Sequence, residues 1–330
     1  MTAPLLLAHP GDHGVAVYSR DLAAAVAAAH PAFATVGTDG LDDLADGTAV
    51  HVQFTDRLWA DSPEAASTRF AEVAARLRVS VTLHDMPQES DGERNRRRRR
   101  AAYALVAASS RGVAVNSDHE RALLQEEDVW AGPVARIPLP VDLRPDLLLP
   151  PSGASVPPSD ASVGVLGYFY PGKGHDEAAA AAAAAGATRL TVLGRASDGH
   201  AADLEAFVRR AAALGVDVEV TGWLDDAEIA RRGRAVAVPV IAHRHVSASG
   251  SLASWIGWGR RPVAMRNRYI DEMAELRPGT LTAVDEADLG AAVRRAFDAP
   301  GSTWHGLTRL PASWEQTADA YRRWWDGLAS

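Results

Sequence analysis

Residues 162–187 read SVGVLGYFYPGKGHDEAAAAAAAAGA. An apolar run, SVGVLGYF (162–169), gives way to a loop holding Pro171 and Gly172. Lys173 and Gly174 then open a run of alanines. Alanine is the best helix former, so the order predicts strand, glycine-rich turn, helix. That is the βα half of a βαβ unit in a parallel sheet. Backbone N–H groups at such a helix start can receive an anion, and a lysine beside them can pair with a phosphate. The segment is not a Walker loop. Gly167 and Gly172 have its spacing, but Gly174 stands where a serine or threonine would hold magnesium.

The same alternation extends both ways. In the first half, LLLAH (5–9), AVHVQF (49–54), VSVTLHD (79–85), GVAVNS (112–117) and VARIPL (134–139) read as strands. Between them lie helical patterns such as 15–29 and 63–77. From Val141 to Asp160 the periodicity stops in a stretch with five prolines, which suits a linker. Strand patterns resume at 162–169, 189–194, 216–223, 235–243 and 260–265, and 313–329 is an amphipathic helix behind a serine N-cap. The expected organisation is therefore an α/β fold of two doubly wound, Rossmann-like domains facing across a cleft. The boundaries fall at 1–141, a linker at 142–160, 161–312, and a closing helix at 313–330. Ligands of open α/β folds sit outside the carboxyl ends of the strands.

Bulk properties narrow the function. The chain has 330 residues, 47% hydrophobic and 23% charged, which fits a water-soluble globular protein. A net charge of −8 argues against nucleic acid as a partner of the whole surface. With no cysteine there is no disulfide, thiolate metal site or cysteine nucleophile, which is compatible with a cytoplasmic location. No apolar run reaches the ~18 residues of a membrane span, and the start of the chain lacks a signal-peptide pattern.

Several segments carry candidate chemistry. HPGDHGVAVYS (9–19) places Gly11 and Gly14 in a strand-to-helix turn beside His13, either for turn geometry or for an anion at the helix start. VTLHD (81–85) puts His84 and Asp85 at a strand end, where the imidazole could bond a sugar hydroxyl or simply a backbone carbonyl. ERNRRRRRAAYALVAASS (93–110) sets Arg94 and the run from Arg96 to Arg100 at a helix N-terminus. Cations there cost roughly 0.3–1 kcal/mol each. Carboxylates, an acceptor phosphate or an anionic membrane surface could offset that cost, and a solvated face is the plain alternative. LGRAS (193–197) supplies Arg195 at a strand end. HRHVSASGS (243–251) gathers Arg244, Ser249, Gly250 and Ser251 before a helix, as an N-cap or a diphosphate cradle. His243 and His245 lack a third ligand at usable spacing, so no metal is expected, and no G-x-S-x-G nucleophile elbow occurs.

In this order, HGVAVYSRDLA, TLHD, NSDHERALL with IPLPVD, VLGYFYPGKG, TVLGR, TGWLDDAEI, SGSLASWIGWGRRPVA and SWEQTADAYRRWW resemble the retaining GT-B glycosyltransferases, specifically the family 4-like group. The resemblance covers nearly the whole chain. It implies a hexose-type sugar moved from a nucleoside-diphosphate sugar to a small-molecule or lipid-linked acceptor, without a metal or other cofactor. It also implies a closing helix that crosses back onto the first domain, bridged by Trp314 and Tyr321. His84 and Lys173 then stand as catalytic candidates. Gly14, Lys173, Arg195, Arg244, Ser249, Gly250 and Ser251 are diphosphate candidates, and His13, Asp85 and Arg94 lie on the acceptor side. Two departures stand out. Tyr168 occupies a position the family often gives to arginine, and Val246 and Ser254 occupy the positions of two usual glutamates, for which Asp271 and Glu272 are possible substitutes. A catalytically silent GT-B module or partner subunit, and an epimerase of the same architecture, are the competing readings. Peripheral contact with the inner face of a membrane through the run from Arg96 to Arg100 is a subsidiary one.

Overall fold

The computed structural model describes residues 3–144 and 159–329. They group into two compact units, one of residues 1–140 with 312–330, the other of 141–311. The core of the proline-rich linker expected at 142–160 lies outside the described residues.

The first unit contains β1 (Leu5–Ala8), β2 (Thr35–Gly37), β3 (Ala49–Phe54), β4 (Arg78–Leu83), β5 (Gly112–Val115) and β6 (Val134–Arg136), hydrogen-bonded in the order β2-β1-β3-β4-β5-β6. The second contains β7 (Val163–Leu166), β8 (Arg189–Leu193), β9 (Asp217–Val220), β10 (Val238–Ile241), β11 (Val263–Met265) and β12 (Thr282–Val284), in the order β12-β11-β10-β7-β8-β9. All of these pairings are parallel. Helices α1 (Gly14–Ala29), α2 (Pro63–Arg76), α3 (Glu93–Ser109) and α4 (Asp118–Glu126) belong to the first unit. Helices α5 (His175–Ala184), α6 (Ala201–Ala213), α7 (Asp226–Ala235), α8 (Gly250–Gly257), α9 (Arg268–Leu276) and α10 (Leu289–Asp298) belong to the second. The last helix, α11 (Trp314–Ala329), is part of the first unit and packs on α1. No described helix is long and apolar enough to cross a membrane.

Strand order decides where a ligand site forms. In the first sheet the chain steps from β1 out to β2 and returns to the other side of β1 for β3. In the second it runs outward from β7 through β8 to β9, then starts again beyond β7 with β10. Where the order reverses, loops from neighbouring strand ends leave toward opposite faces and open a crevice. The loops after β1 and β3, and those after β7 and β10, are therefore the places to look.

Side-chain alternation along β3 and β4 explains the rest of the first unit. Val50, Val52, Phe54, Val79, Val81 and Leu83 face one apolar layer with Phe70 and Tyr103. His51 and Gln53 pair in register with Ser80 and Thr82. On that side of the sheet, α1 and α11 bring Leu22, Val26, Tyr321 and Trp325, and His51 contacts the Tyr321 and Trp325 rings. A sheet covered on both faces is normally apolar on both; here one face carries a polar stripe.

In the second unit Arg260 is 1% exposed and, among the described residues, its hydrogen bonds go to no carboxylate. Its guanidinium donates to the carbonyls of Gly233, Arg234, Val236, Ala237 and Thr303 and to the Thr303 hydroxyl. It also lies 4.3 Å from the Trp304 ring centroid.

Candidate functional site

In the second unit the loop after β7 is shaped by glycine. Gly174 has φ +90°, and a Cβ there would sit 2.2 Å from the Ala242 carbonyl oxygen, at the end of β10. Gly194, after β8, has φ +155° and no room beside the Gly167 carbonyl, 2.3 Å away. These close approaches account for Gly174 where a magnesium-binding loop would carry a hydroxyl side chain. They also draw the ends of β7, β8 and β10 together beneath Lys173.

The Lys173 ammonium lies over Gly167, with Nζ 3.5 Å from the place a Cβ would occupy. It stands 5.9 Å from the centroid of the Tyr170 ring. No hydrogen bond or ion pair reaches it among the described residues. Burial pulls its pKa down to about 8. Two histidines share this environment. His175 is held near 3 by burial and then by the Lys173 charge, and it packs on Phe169 at 4.7 Å. His243 is likewise lowered by burial, then by Lys173 and His175. An ammonium set among neutral imidazoles and aromatic rings, with no carboxylate, is costly unless an anion joins it.

The loop after β10 leads into α8. Ser249 is its N-cap: the hydroxyl accepts from the Leu252 N–H at 3.2 Å and meets the Ser251 hydroxyl at 3.1 Å, while its own N–H donates to the Tyr269 hydroxyl. The capping alternative thus holds for Ser249. Gly250, the first helical residue, is exposed, has an ordinary φ, and a Cβ there would touch nothing within 4 Å. The fold does not require glycine at this position; close approach of another molecule would. By position, the Gly250 and Ser251 N–H groups have no intrahelical acceptor.

The remaining cations are more committed. Arg195 lies 4.9 Å from the Tyr168 ring centroid and pairs with Asp198 at 3.0 Å. Tyr168, standing where arginine is expected, thus carries an arginine on its face. Arg244 is clamped by Glu177 at 2.7 Å and by Glu286. Val246 is buried in the apolar layer with Leu252 and Ile256, and the Ser254 hydroxyl donates back to the Gly250 carbonyl at 3.1 Å. Neither position presents an acid. Asp271 pairs with Arg266 at 3.0 Å.

In the first unit the loop after β1 carries His13, whose Nδ1 accepts the Val15 N–H at 3.2 Å and caps α1. Gly14, the first residue of α1, has open space where a Cβ would be, as Gly250 does in α8. His84 follows β4 and is 4% exposed. Its Nε2 lies 2.7 Å from Gln53 Oε1, and Tyr18 meets its ring edge to face at 5.5 Å. Burial holds His84 near 4, against an opposing pull from Asp85 and with His13 and His9 lowering it further. Asp85 is exposed with φ +52°, a strained geometry for a non-glycine residue. From beneath, Tyr103 donates to the His84 carbonyl at 2.8 Å and Arg99 to that of Asp85 at 2.5 Å.

In the arginine run, Arg96 pairs with Glu127, Arg97 with Glu93, Arg98 with Glu64, and Arg99 with Asp56 and Asp91. Of the offsets open to the sequence, the unit's own carboxylates are thus present for Arg96 to Arg99. Arg94 and Arg100 remain as exposed cations outside these pairs. Residues missed by the sequence reading are His9, His51, Gln53, Tyr18 and His175. The alternating polar positions in HVQ (51–53) and SVTLH (80–84) were the available signal for two of them.

No family model matches the chain, and no curated protein matches it. Solved structures do. Sucrose-phosphate synthase from Thermosynechococcus elongatus is 17% identical over 99% of this chain and 93% of its own, with a TM-score of 0.63. HepE from Anabaena, solved with UDP and glucose, is 16% identical over 98% of both chains, with a TM-score of 0.66. OtsA without ligand is 12% identical over 97% of this chain and 79% of its own, at 0.62. At such identities the likeness is one of fold, and that fold is GT-B.

Proposed function

We propose that this chain is a glycosyltransferase that moves a hexose-type sugar from a nucleoside-diphosphate sugar to a hydroxyl of a small-molecule or lipid-linked acceptor. The observation that supports this most is Lys173, a half-buried ammonium that no carboxylate pairs with among the described residues, in the loop after β7, whose neighbour β10 leads into α8 across a strand-order reversal. In this reading Lys173 and the Gly250 and Ser251 N–H groups hold the diphosphate, with Arg195 beside them; Arg244, already shared by two glutamates, buttresses α5. Similarity to a structure holding UDP and glucose fits that donor class.

The reaction breaks the bond between the anomeric carbon and the diphosphate oxygen and forms one from that carbon to the acceptor oxygen. The acceptor proton passes to the departing phosphate on the same face, so configuration is retained. Lys173 and the helix-start N–H groups stabilise the charge growing on the leaving group, where fixed dipoles act most strongly. That charge needs no metal to balance it. Within the first unit, His13, His84 and Asp85 are the groups we assign to sugar hydroxyls, with Arg94 as an acceptor-side candidate. The proposed location is the cytoplasm.

A silent binding module is the second reading, favoured by Val246 and Ser254 in place of acids. Incubation with a panel of nucleotide sugars and hydroxyl acceptors, with and without EDTA, separates the two. Nucleoside diphosphate release coupled to an α-linked product from an α-linked donor, unaffected by EDTA, is the expected outcome. Donor binding with neither release nor product across the panel would favour the silent module, and no nucleotide binding would overturn both.

A further inference from the structure

Beneath His84 runs a chain of buried polar side chains. Ser80 Oγ lies 3.0 Å from His51 Nδ1, His51 Nε2 lies 2.8 Å from Gln53 Nε2, and Gln53 Oε1 lies 2.7 Å from His84 Nε2. His51 and Gln53 are each 2% exposed, and the two strands in register hold all four groups on one face. Burial keeps His51 near 3 and His84 near 4, so each ring carries a single proton at neutral pH. The Gln53 amide has one donor end and one acceptor end, so its orientation sets the proton position on both imidazoles. In the structure the Gln53 NH2 faces His51 Nε2 and its carbonyl oxygen faces His84 Nε2.

We propose that Gln53 and His51 are positioning residues that lock His84 as its Nε2–H tautomer, so that Nδ1 presents a lone pair to a hydroxyl of the sugar substrate. The step of logic is local. His51 donates from Nδ1 to Ser80 and accepts at Nε2 from Gln53; Gln53 then accepts the Nε2–H of His84. The remaining His84 nitrogen, Nδ1, has no partner among the described residues and is not among the sealed, unpartnered atoms. A neutral nitrogen of this kind accepts an O–H and orients it without taking the proton. Tyr18, stacked on Trp314 at 5.7 Å and edge-on to His84, keeps the ring from turning. This inference rests on the proposed transfer reaction only for the identity of the hydroxyl; the tautomer is a property of the free protein.

The test is nitrogen-15 NMR of histidine-labelled full chain, in which two-bond couplings distinguish the tautomers. Wild type should show His84 protonated at Nε2. Gln53→Leu should lose that pattern or mix it, and Gln53→Glu, which keeps an acceptor oxygen toward His84, should restore it. A wild-type His84 protonated at Nδ1, or a pattern unchanged in Gln53→Leu, overturns the relay. Titration then addresses the hydroxyl. A nucleotide sugar, or an acceptor sugar added alone, should shift His84 Nδ1, and whichever does identifies the source, whereas the bare nucleoside diphosphate should not. If no sugar ligand shifts Nδ1, the hydroxyl role is wrong. If no nucleotide binds at all, the transfer reading fails while the tautomer result stands on its own.

Discussion

At the scale of single residues, the proposed chemistry rests on Lys173. Its pKa near 8 in the free protein places half-ionisation inside the accessible pH range. Only the ammonium attracts a diphosphate, so affinity should be flat up to about pH 7 and fall as pH rises through 8. If the neutral form binds negligibly, the loss by pH 9.5 is about thirtyfold, or about 2 kcal/mol. Calorimetric titration of a nucleoside diphosphate at pH 7 and 9.5 measures it, and Lys173→Arg, which stays charged, should flatten the profile. Lys173 stood out in the sequence as a lysine between two glycines after a strand, and the structure places it in the loop between β7 and α5. The clamp on Arg244 did not stand out, since Glu177 and Glu286 lie 67 and 42 residues away in the chain.

At the scale of elements, the βα pattern was legible wherever a strand is buried on both faces and followed by a helix. β3 falls on its expected span, and α1, α2 and α11 begin and end within one residue of theirs. The two strands missed, β2 and β12, are three-residue edge strands, TVG and TAV, too short to show a period. Arg260 was equally opaque, because 260–265 reads only as a strand, whereas this arginine ties the carbonyls around the α7–β10 connection into one knot. Arg260→Met leaves those carbonyls without their donor. Each buried orphan costs about 1–3 kcal/mol, so the expected loss is at least about 3 kcal/mol, a drop in Tm of roughly 6–12 °C. Arg260→Lys should recover only part, since an ammonium has three donors and no planar fork. Thermal and urea unfolding measure both variants.

At the scale of the whole molecule, buried neutral histidines in both units make the fold acid-labile. Burial depresses His9 to about 4, His51 to about 3, His84 to about 4 and His175 to about 3. The unfolded chain takes up these protons near pH 6.5 and the folded protein only near 3–4. The stability they contribute is therefore full above about pH 6.5 and is lost as pH falls toward 4. Each group adds up to about 1.4 kcal/mol per pH unit in that window. Urea midpoints at pH 7.5, 6.0 and 5.0 should fall steeply, and His51→Asn should soften the slope. A midpoint unchanged at pH 5 would mean the imidazoles are charged or solvated. The two-unit plan was visible in the proline-rich break and the repeated alternation; the polar stripe inside the first unit was hidden, because period-two polarity ordinarily signals a solvated face.

The proposal of a diphosphate-handling enzyme stands or falls on Lys173. Calorimetric titration of UDP, GDP, ADP and dTDP at pH 7 into wild type and Lys173→Ala, with unfolding midpoints compared to confirm equal folding, tests it most directly. One of these nucleotides should bind wild type, and the substitution should weaken it about 10- to 100-fold, the size of a lost charged hydrogen bond. Equal affinity in the two proteins would contradict the assignment.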